Sequence, residues 1–491
     1  MENLLSTKLQ LKKADLTRHP LGYVALSLVA VCASFVVIKF GIVGAIIISC
    51  LFVGFPLAYA VIAYPQFGII TMLVASFFIM MLVKVNTSVP FGTLMDALEL
   101  LLIIGFFLKH KYDRSWQFIH NPVTILIIIW IVYNLLQVFN PLAESRLAWL
   151  YTIRSVALVM MTYFIFMYNI TTVRFIRSIL KLWIGLSFFA AIYAFKQEYF
   201  GFFSFEKNWL ANDPVASSLY FIGGHWRKFS IFSDPVASAY NMVISSLLCI
   251  TLMFGPIPVF KKVILGILSM FFIMAMLYSG TRGAFVLIPA GLVLLFVLKL
   301  NRKTLLIGIA LALIFIAAIK VPTSNGTLSR FQSAFQPNND ASYNVRKINQ
   351  KRIQPYIQSH PIGGGLGSTG TWGQRFSPDS FLASFPPDSG YVRVAVETGW
   401  VGLLVLGSLF FVVLLTGINN YFKIKDPELK NYCLAMIVIV FALNIGNFPQ
   451  EALVQFPVNI YFYLVIALIN ITLRLDRELT NKKLTLQNTL P

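Results

Sequence analysis

Charge is scarce in this chain. Asp, Glu, Lys and Arg make up 12% of its 491 residues, against about 25% in soluble domains. That excludes an ordinary soluble globular protein. Cysteine is scarce too. Cys32, Cys50, Cys249 and Cys433 all fall inside apolar runs, which excludes a disulfide framework and reads as packing. There are five histidines, and no DxD or His-rich cluster occurs in the segments read below as external. Chemistry without a metal or cofactor is therefore expected. No Walker or dinucleotide pattern is present: GGGLG at 363–367 has no Lys-Ser/Thr after it and no strand before it. A tight loop is the simpler reading of those glycines, with phosphate approach by Gly363, Gly364, Gly365 and Gly367 as the other. Tandem repeats are lacking. DPVAS occurs twice, at 213–217 and 234–238, where Asp-Pro suits a helix start.

What is abundant is apolar sequence, in runs of roughly twenty residues, the length that spans a bilayer as a helix. The expected fold is all-α: a polytopic transmembrane helical bundle of about fourteen spans (12–14) with one large extracytoplasmic loop. The runs fall at 21–39, 42–63, 66–83, 92–108, 122–139, 150–168, 178–196, 236–256, 262–279, 283–299, 304–320, 391–417, 431–447 and 453–473. Residues 1–20 form a cytoplasmic tail, 21–320 a transmembrane bundle, 321–389 the loop subdomain, 390–474 the C-terminal spans and 475–491 a second tail. The first run follows a basic tail and has no small-residue cleavage site, so it reads as a span and not as a signal peptide.

The net charge is +20. In a soluble chain this would suggest nucleic acid. Here the basic residues sit between the spans, as in Lys109, Lys111 and Arg114; Arg174, Arg177 and Lys181; Lys261 and Lys262; and Lys299, Arg302 and Lys303. Lys8, Lys12, Lys13 and Arg18 lie in the N-terminal tail. Only the short turn 64–66 breaks the pattern. The positive-inside rule then places both termini in the cytoplasm. The expected partner is the lipid bilayer, with no nucleic acid.

The outer side still collects arginine: Arg146, Arg154, Arg227, Arg282, Arg330, Arg346, Arg352, Arg375 and Arg393. Guanidinium forks bind phosphate bidentately and stay charged when partly desolvated. Local acids offer a plainer account of some of them. Arg154 has Glu144 near in sequence, and Arg393 has Glu397 at i,i+4. Arg282, in SGTRGAF, has no acid near it in sequence and is flanked by Ser279, Gly280, Thr281 and Gly283. Residues 342–359 have the pattern of an amphipathic helix on the membrane, with Ile348, Ile353 and Ile357 on its apolar side.

Four stretches together resemble the O-antigen ligase and polymerase family of bacterial envelopes. They are RKFSIFSDPVASAYNM, SGTRGAFVLIPAGLVLLF, VRKINQKRIQPYIQSHPIGGGLGSTG and PPDSGYVRVAVETGWVGLL, in the family's order over roughly residues 225 to 405. The resemblance implies a metal-independent glycosyltransferase at the outer face of the bacterial inner (cytoplasmic) membrane. It would act on an oligosaccharide linked to undecaprenyl pyrophosphate, working beside a flippase and a chain-length regulator. By the resemblance Arg282 and Arg227 would hold the pyrophosphate. Arg154 and Arg346 are further candidates for it among the outer arginines, and Trp226 and Tyr391 are candidates for glycan contact, with interface anchoring the other reading of the outer aromatics. Many ligases carry a His-Asn pair where this chain has Asp388-Ser389, which favours a polymerase. Asp388 then has two readings, a general base working with Arg282 or the N-cap of the next span. The alternatives are an O-antigen ligase acting on lipid A core and, from another class, a membrane transporter. Few mid-span charges and no half-to-half symmetry speak against transport.

Overall fold

The computed structural model describes residues 20–87, 89–113, 120–222, 224–324, 326–335 and 341–489. Lys8, Lys12, Lys13, Arg18 and Arg114 lie outside the described residues. The chain forms two compact units, Met1–Tyr64 and Pro65–Pro491.

In the first unit, two helical stretches join within Pro20–Ala63 at a kink on Gly41, where φ is 58°. Only glycine takes that backbone conformation at little steric cost. The kink falls between the runs at 21–39 and 42–63, where the sequence leaves almost no loop.

Among the described residues of the second unit, the regular structure is helical apart from a hairpin of two short strands, Phe221–Ile222 and His225–Trp226. Over the described residues, ten helices are long and apolar enough to cross a membrane. The other runs fall on the shorter apolar helices Ser27–Gly41, Leu51–Ala63 and Arg282–Leu298, and on Gly92–Asp113, which carries Asp96 and Glu99. The fold is thus an all-α, multi-pass membrane protein.

Burial sorts the helices of this second unit. Pro235–Met253, Pro427–Gly446 and Val458–Lys482 are 78%, 72% and 83% buried over their apolar windows, whereas Arg302–Lys320 is 6% buried. The first three form the centre, and the last presents nearly its whole apolar surface outward. Lipid supplies no hydrophobic force between helices, so small and polar groups bind the centre together. Ser245 accepts from Trp183 Nε1 at 3.1 Å and meets Ser187 at 2.7 Å. Tyr240 donates to the Gly446 carbonyl at 2.8 Å.

Both Asp-Pro pairs start helices. Asp213 caps Pro214–Tyr220 through the Ala216 N–H, and Asp234 caps Pro235–Met253 through Val236 and Ala237. The 342–359 stretch is helical as Ala341–Ser359. Ile353 is fully buried and packs with Tyr356 and Ile357 against Leu382, Phe385 and Val396. Ile348 is 65% exposed, so the apolar stripe joins a protein core at two of its three isoleucines.

Candidate active site

Three guanidinium groups meet at the turn 279–282, just past the end of Val259–Tyr278. Arg227 donates from Nε to the Ser279 carbonyl and from Nη2 to Thr281 Oγ1, each at 2.9 Å. Its Nη1 reaches the Leu219 carbonyl at 3.3 Å. Arg330 donates from Nε to the Gly280 carbonyl at 2.9 Å. Gly280 has φ 59°, and a Cβ there would stand 2.8 Å from Arg330 Nε, so glycine lets this arginine close on the turn. Arg282 opens the short helix Arg282–Phe285 and is half-buried. Burial, Arg330 and Arg282 push the Arg227 pKa down to about 10, with Asp234 and Tyr220 opposing. Arg227 therefore stays charged at neutral pH but is crowded by like charges, a situation an anion relieves.

Arg227 spends two of its N–H groups bracing the turn and a third on the Leu219 carbonyl. Its role in the site is thus partly structural, and Arg282 is the arginine of the turn that lines a cavity. Arg282, Arg346 and Tyr391 line a cavity of about 640 Å³ whose other walls include Leu414, Phe441 and Phe448. The Tyr391 hydroxyl donates to the Asn444 carbonyl at 2.9 Å, leaving its ring as the lining surface.

A second cavity, of about 410 Å³, is polar. Thr152, Trp372, Asp388, Arg393, Gln450 and Glu451 line it. The two cavities meet at one ion pair, Arg346 Nε to Asp388 Oδ2 at 4.0 Å. Burial raises the Asp388 pKa and Arg346 opposes the rise. The N-cap position of Gly390–Lys423 belongs to Ser389, whose side chain makes no capping bond. Asp388 therefore does not hold the helix-cap position that one sequence reading gave it.

Sequence reasoning passed over Glu451. Arg393 bridges two carboxylates, with Nε 3.1 Å from Glu397 and Nη1 2.9 Å from Glu451. The first pair has the expected i,i+4 spacing, while the second is 58 residues away. Glu451 Oε1 is buried and has no hydrogen-bond partner among the described residues. Burial raises the pKa of this carboxyl against the pull of Arg393.

The glycine-rich loop packs onto the same helix. Gly364 and Gly365 donate to the Val396 and Glu397 carbonyls, each at 2.9 Å. The Glu397 carboxylate takes the Gly367 N–H at 3.0 Å and the Thr369 hydroxyl at 2.5 Å. A Cβ on Gly399, where φ is 72°, would stand 2.0 Å from the Pro361 carbonyl oxygen. These contacts fit the tight-loop reading.

Other expected residues stand apart from the turn. Arg154 pairs with Asp96 at 3.1 Å, where the sequence offered Glu144. It sits in a π-helical stretch, Arg154–Leu158, an irregularity frequent at functional sites. Its neighbour Ser155 lines the polar cavity. Trp226 packs between Phe202 and Phe221, at 5.8 and 5.0 Å between ring centroids, as part of a small aromatic core around Phe229.

Fold and turn together define a multi-pass α-helical membrane protein with an arginine-lined cavity at one end of its bundle. Residues 267–407 match the model of a family described as O-Antigen ligase, a stretch that takes in Arg282, Arg346 and Asp388 but not Arg227. An O-antigen polymerase from Salmonella muenchen is 27% identical over 278 residues, covering 53% of this chain. The match spans 64% of that relative, less than two thirds of its length. Both matches support the O-antigen ligase and polymerase family, the one the motifs resemble.

Proposed function

We propose that this chain is a polysaccharide polymerase that transfers a glycan from undecaprenyl pyrophosphate to a hydroxyl of another lipid-linked repeat unit. The observation that carries the reading is the meeting of an apolar, arginine-lined cavity and a polar one across Arg346 and Asp388. The first suits a donor with a prenyl chain and a diphosphate. The second, with Trp372, Gln450 and Thr152, suits an acceptor sugar.

In this reading the acceptor hydroxyl attacks the anomeric carbon. A new C–O bond forms as the bond from carbon to phosphate oxygen breaks. Undecaprenyl pyrophosphate leaves with the electron pair, and the hydroxyl proton passes to Asp388. Direct displacement inverts the anomeric centre. Arg282 and Arg346 neutralise charge growing on the leaving diphosphate, the kind of preorganised electrostatic help that is often the largest catalytic contribution. Arg227 and Arg330 hold the turn that presents Arg282. The basic clusters at the opposite ends of the helices support an extracytoplasmic site in the bacterial inner membrane, with both termini inside. A flippase would supply the donor, and a chain-length regulator would set its extension.

Polymerase is favoured over ligase by the relative's name and by Asp388-Ser389, where many ligases carry His-Asn. The test is reconstitution of the purified protein with lipid-linked repeat units. Longer glycans are expected, and Arg282→Ala should abolish them while the protein stays folded and inserted. Glycan appearing only on lipid A core would favour the ligase. Solute uptake without glycan transfer would favour a transporter.

A further inference from the structure

The far end of the bundle holds another cavity, which the transfer reaction does not use. It measures about 750 Å³ and lies between Val173–Tyr199 and the starts of Val259–Tyr278 and Pro427–Gly446. Val259–Tyr278 has 20 residues, a rise of about 30 Å and the thickness of the hydrocarbon core. Lys261 stands at its first turn and Arg282 just beyond its last. The two sites therefore open at opposite membrane surfaces.

Chemistry divides the cavity into two parts. Apolar side chains such as Ile184, Phe188, Ile264 and Leu268 line one part, and Arg177, Lys181 and Lys261 line the other with a single acid, Glu428. That acid is already engaged: Arg177 grips both of its oxygens at 2.5 Å, and the Tyr432 hydroxyl donates to it. Lys181 and Lys261 are exposed and have no carboxylate partner among the described residues. Asn431 also lines the cavity, is 6% exposed, and keeps its Oδ1 without a hydrogen-bond partner among the described residues. Gly185 leaves the wall bare, since a Cβ there would meet nothing within 4 Å.

We propose that this groove is a binding site for an anionic phospholipid with a hydroxyl-bearing headgroup. Lys181 and Lys261 face the phosphate, Asn431 Oδ1 accepts from a headgroup hydroxyl, and the acyl chains lie along the apolar wall past Gly185. Basic pockets between transmembrane helices favour anionic headgroups for this reason. The proposal does not depend on the transfer reaction at the other end of the bundle.

Native mass spectrometry of the full chain in detergent, titrated with phosphatidylglycerol and phosphatidylcholine, tests it. The wild type should bind phosphatidylglycerol preferentially. Lys181→Ala with Lys261→Ala should lose affinity for it about 25-fold, a factor of about five for each basic side chain at a headgroup. Gly185→Phe should exclude both lipids, because it fills the groove without touching the charges. Arg282→Ala should bind phosphatidylglycerol as the wild type does. Equal binding of the two lipids by the wild type, or undiminished phosphatidylglycerol binding by the double variant, would overturn the proposal. So would a marked preference for undecaprenyl phosphate.

Discussion

Arg346 Nε lies 4.0 Å from Asp388 Oδ2, and each residue lines a different cavity. One ion pair thus stands between an apolar, arginine-lined cavity and a polar one.

Asp388 should impose an acidic limb on the rate. Burial raises its pKa and Arg346 opposes the rise, so the carboxylate gains its proton above the ordinary aspartate range. Activity that needs the charged base should fall as pH drops through that raised value. Arg346→Gln removes the opposing charge and should move the limb to higher pH. Asp388→Asn should remove the limb and lower the rate by about 10²–10⁴. A pH–rate profile of elongation by the three proteins checks this.

Arg282→Lys should keep the charge but lose the fork. Part of the elongation rate should survive in Arg282→Lys, whereas Arg282→Ala should fall about 10²–10³ or more. Steady-state elongation with varied donor reads both, and equal rates for the two variants would count against a guanidinium-specific role.

Arg227 acts through the turn. Arg227→Lys cannot reproduce donation to Ser279, Thr281 and Leu219 together. A stability loss of about 1–3 kcal/mol is expected, with a fall in activity that tracks the misplacement of Arg282. Thermal unfolding in detergent alongside elongation assays separates the two effects.

Gly399→Ala should destabilise the protein by about 1–3 kcal/mol. Its φ is 72°, and the new Cβ would run into the Pro361 carbonyl, 2.0 Å away. Gly407→Ala, on the same helix with nothing within 4 Å of its Cβ position, should leave the melting temperature unchanged or slightly raised. Melting curves of the two variants make the comparison.

Much of the fold was legible because membrane spans announce themselves by length and apolarity. The helix starts at Asp213 and Asp234 and the Arg393–Glu397 pair were legible because caps and i,i+4 pairs depend on neighbours in sequence. The prominence of Arg282 came from the small residues around it. The Asp96 partner of Arg154, the Glu451 partner of Arg393, and the approach of Arg330 to Gly280 were not legible. Each joins helices or loops distant in the chain, and no local spacing encodes such a meeting. Nor was the packing of Trp226 against Phe202 and Phe221 legible, since an outer tryptophan reads in sequence only as a sugar platform or an interface anchor.

The central claim is most directly tested by a cryo-electron-microscopy map of the full chain with undecaprenyl pyrophosphate bound. The account predicts diphosphate density between Arg282 and Arg346, with the prenyl chain against Leu414, Phe441 and Phe448. Density for the diphosphate elsewhere, with the Arg282 cavity empty in the same map, would contradict it.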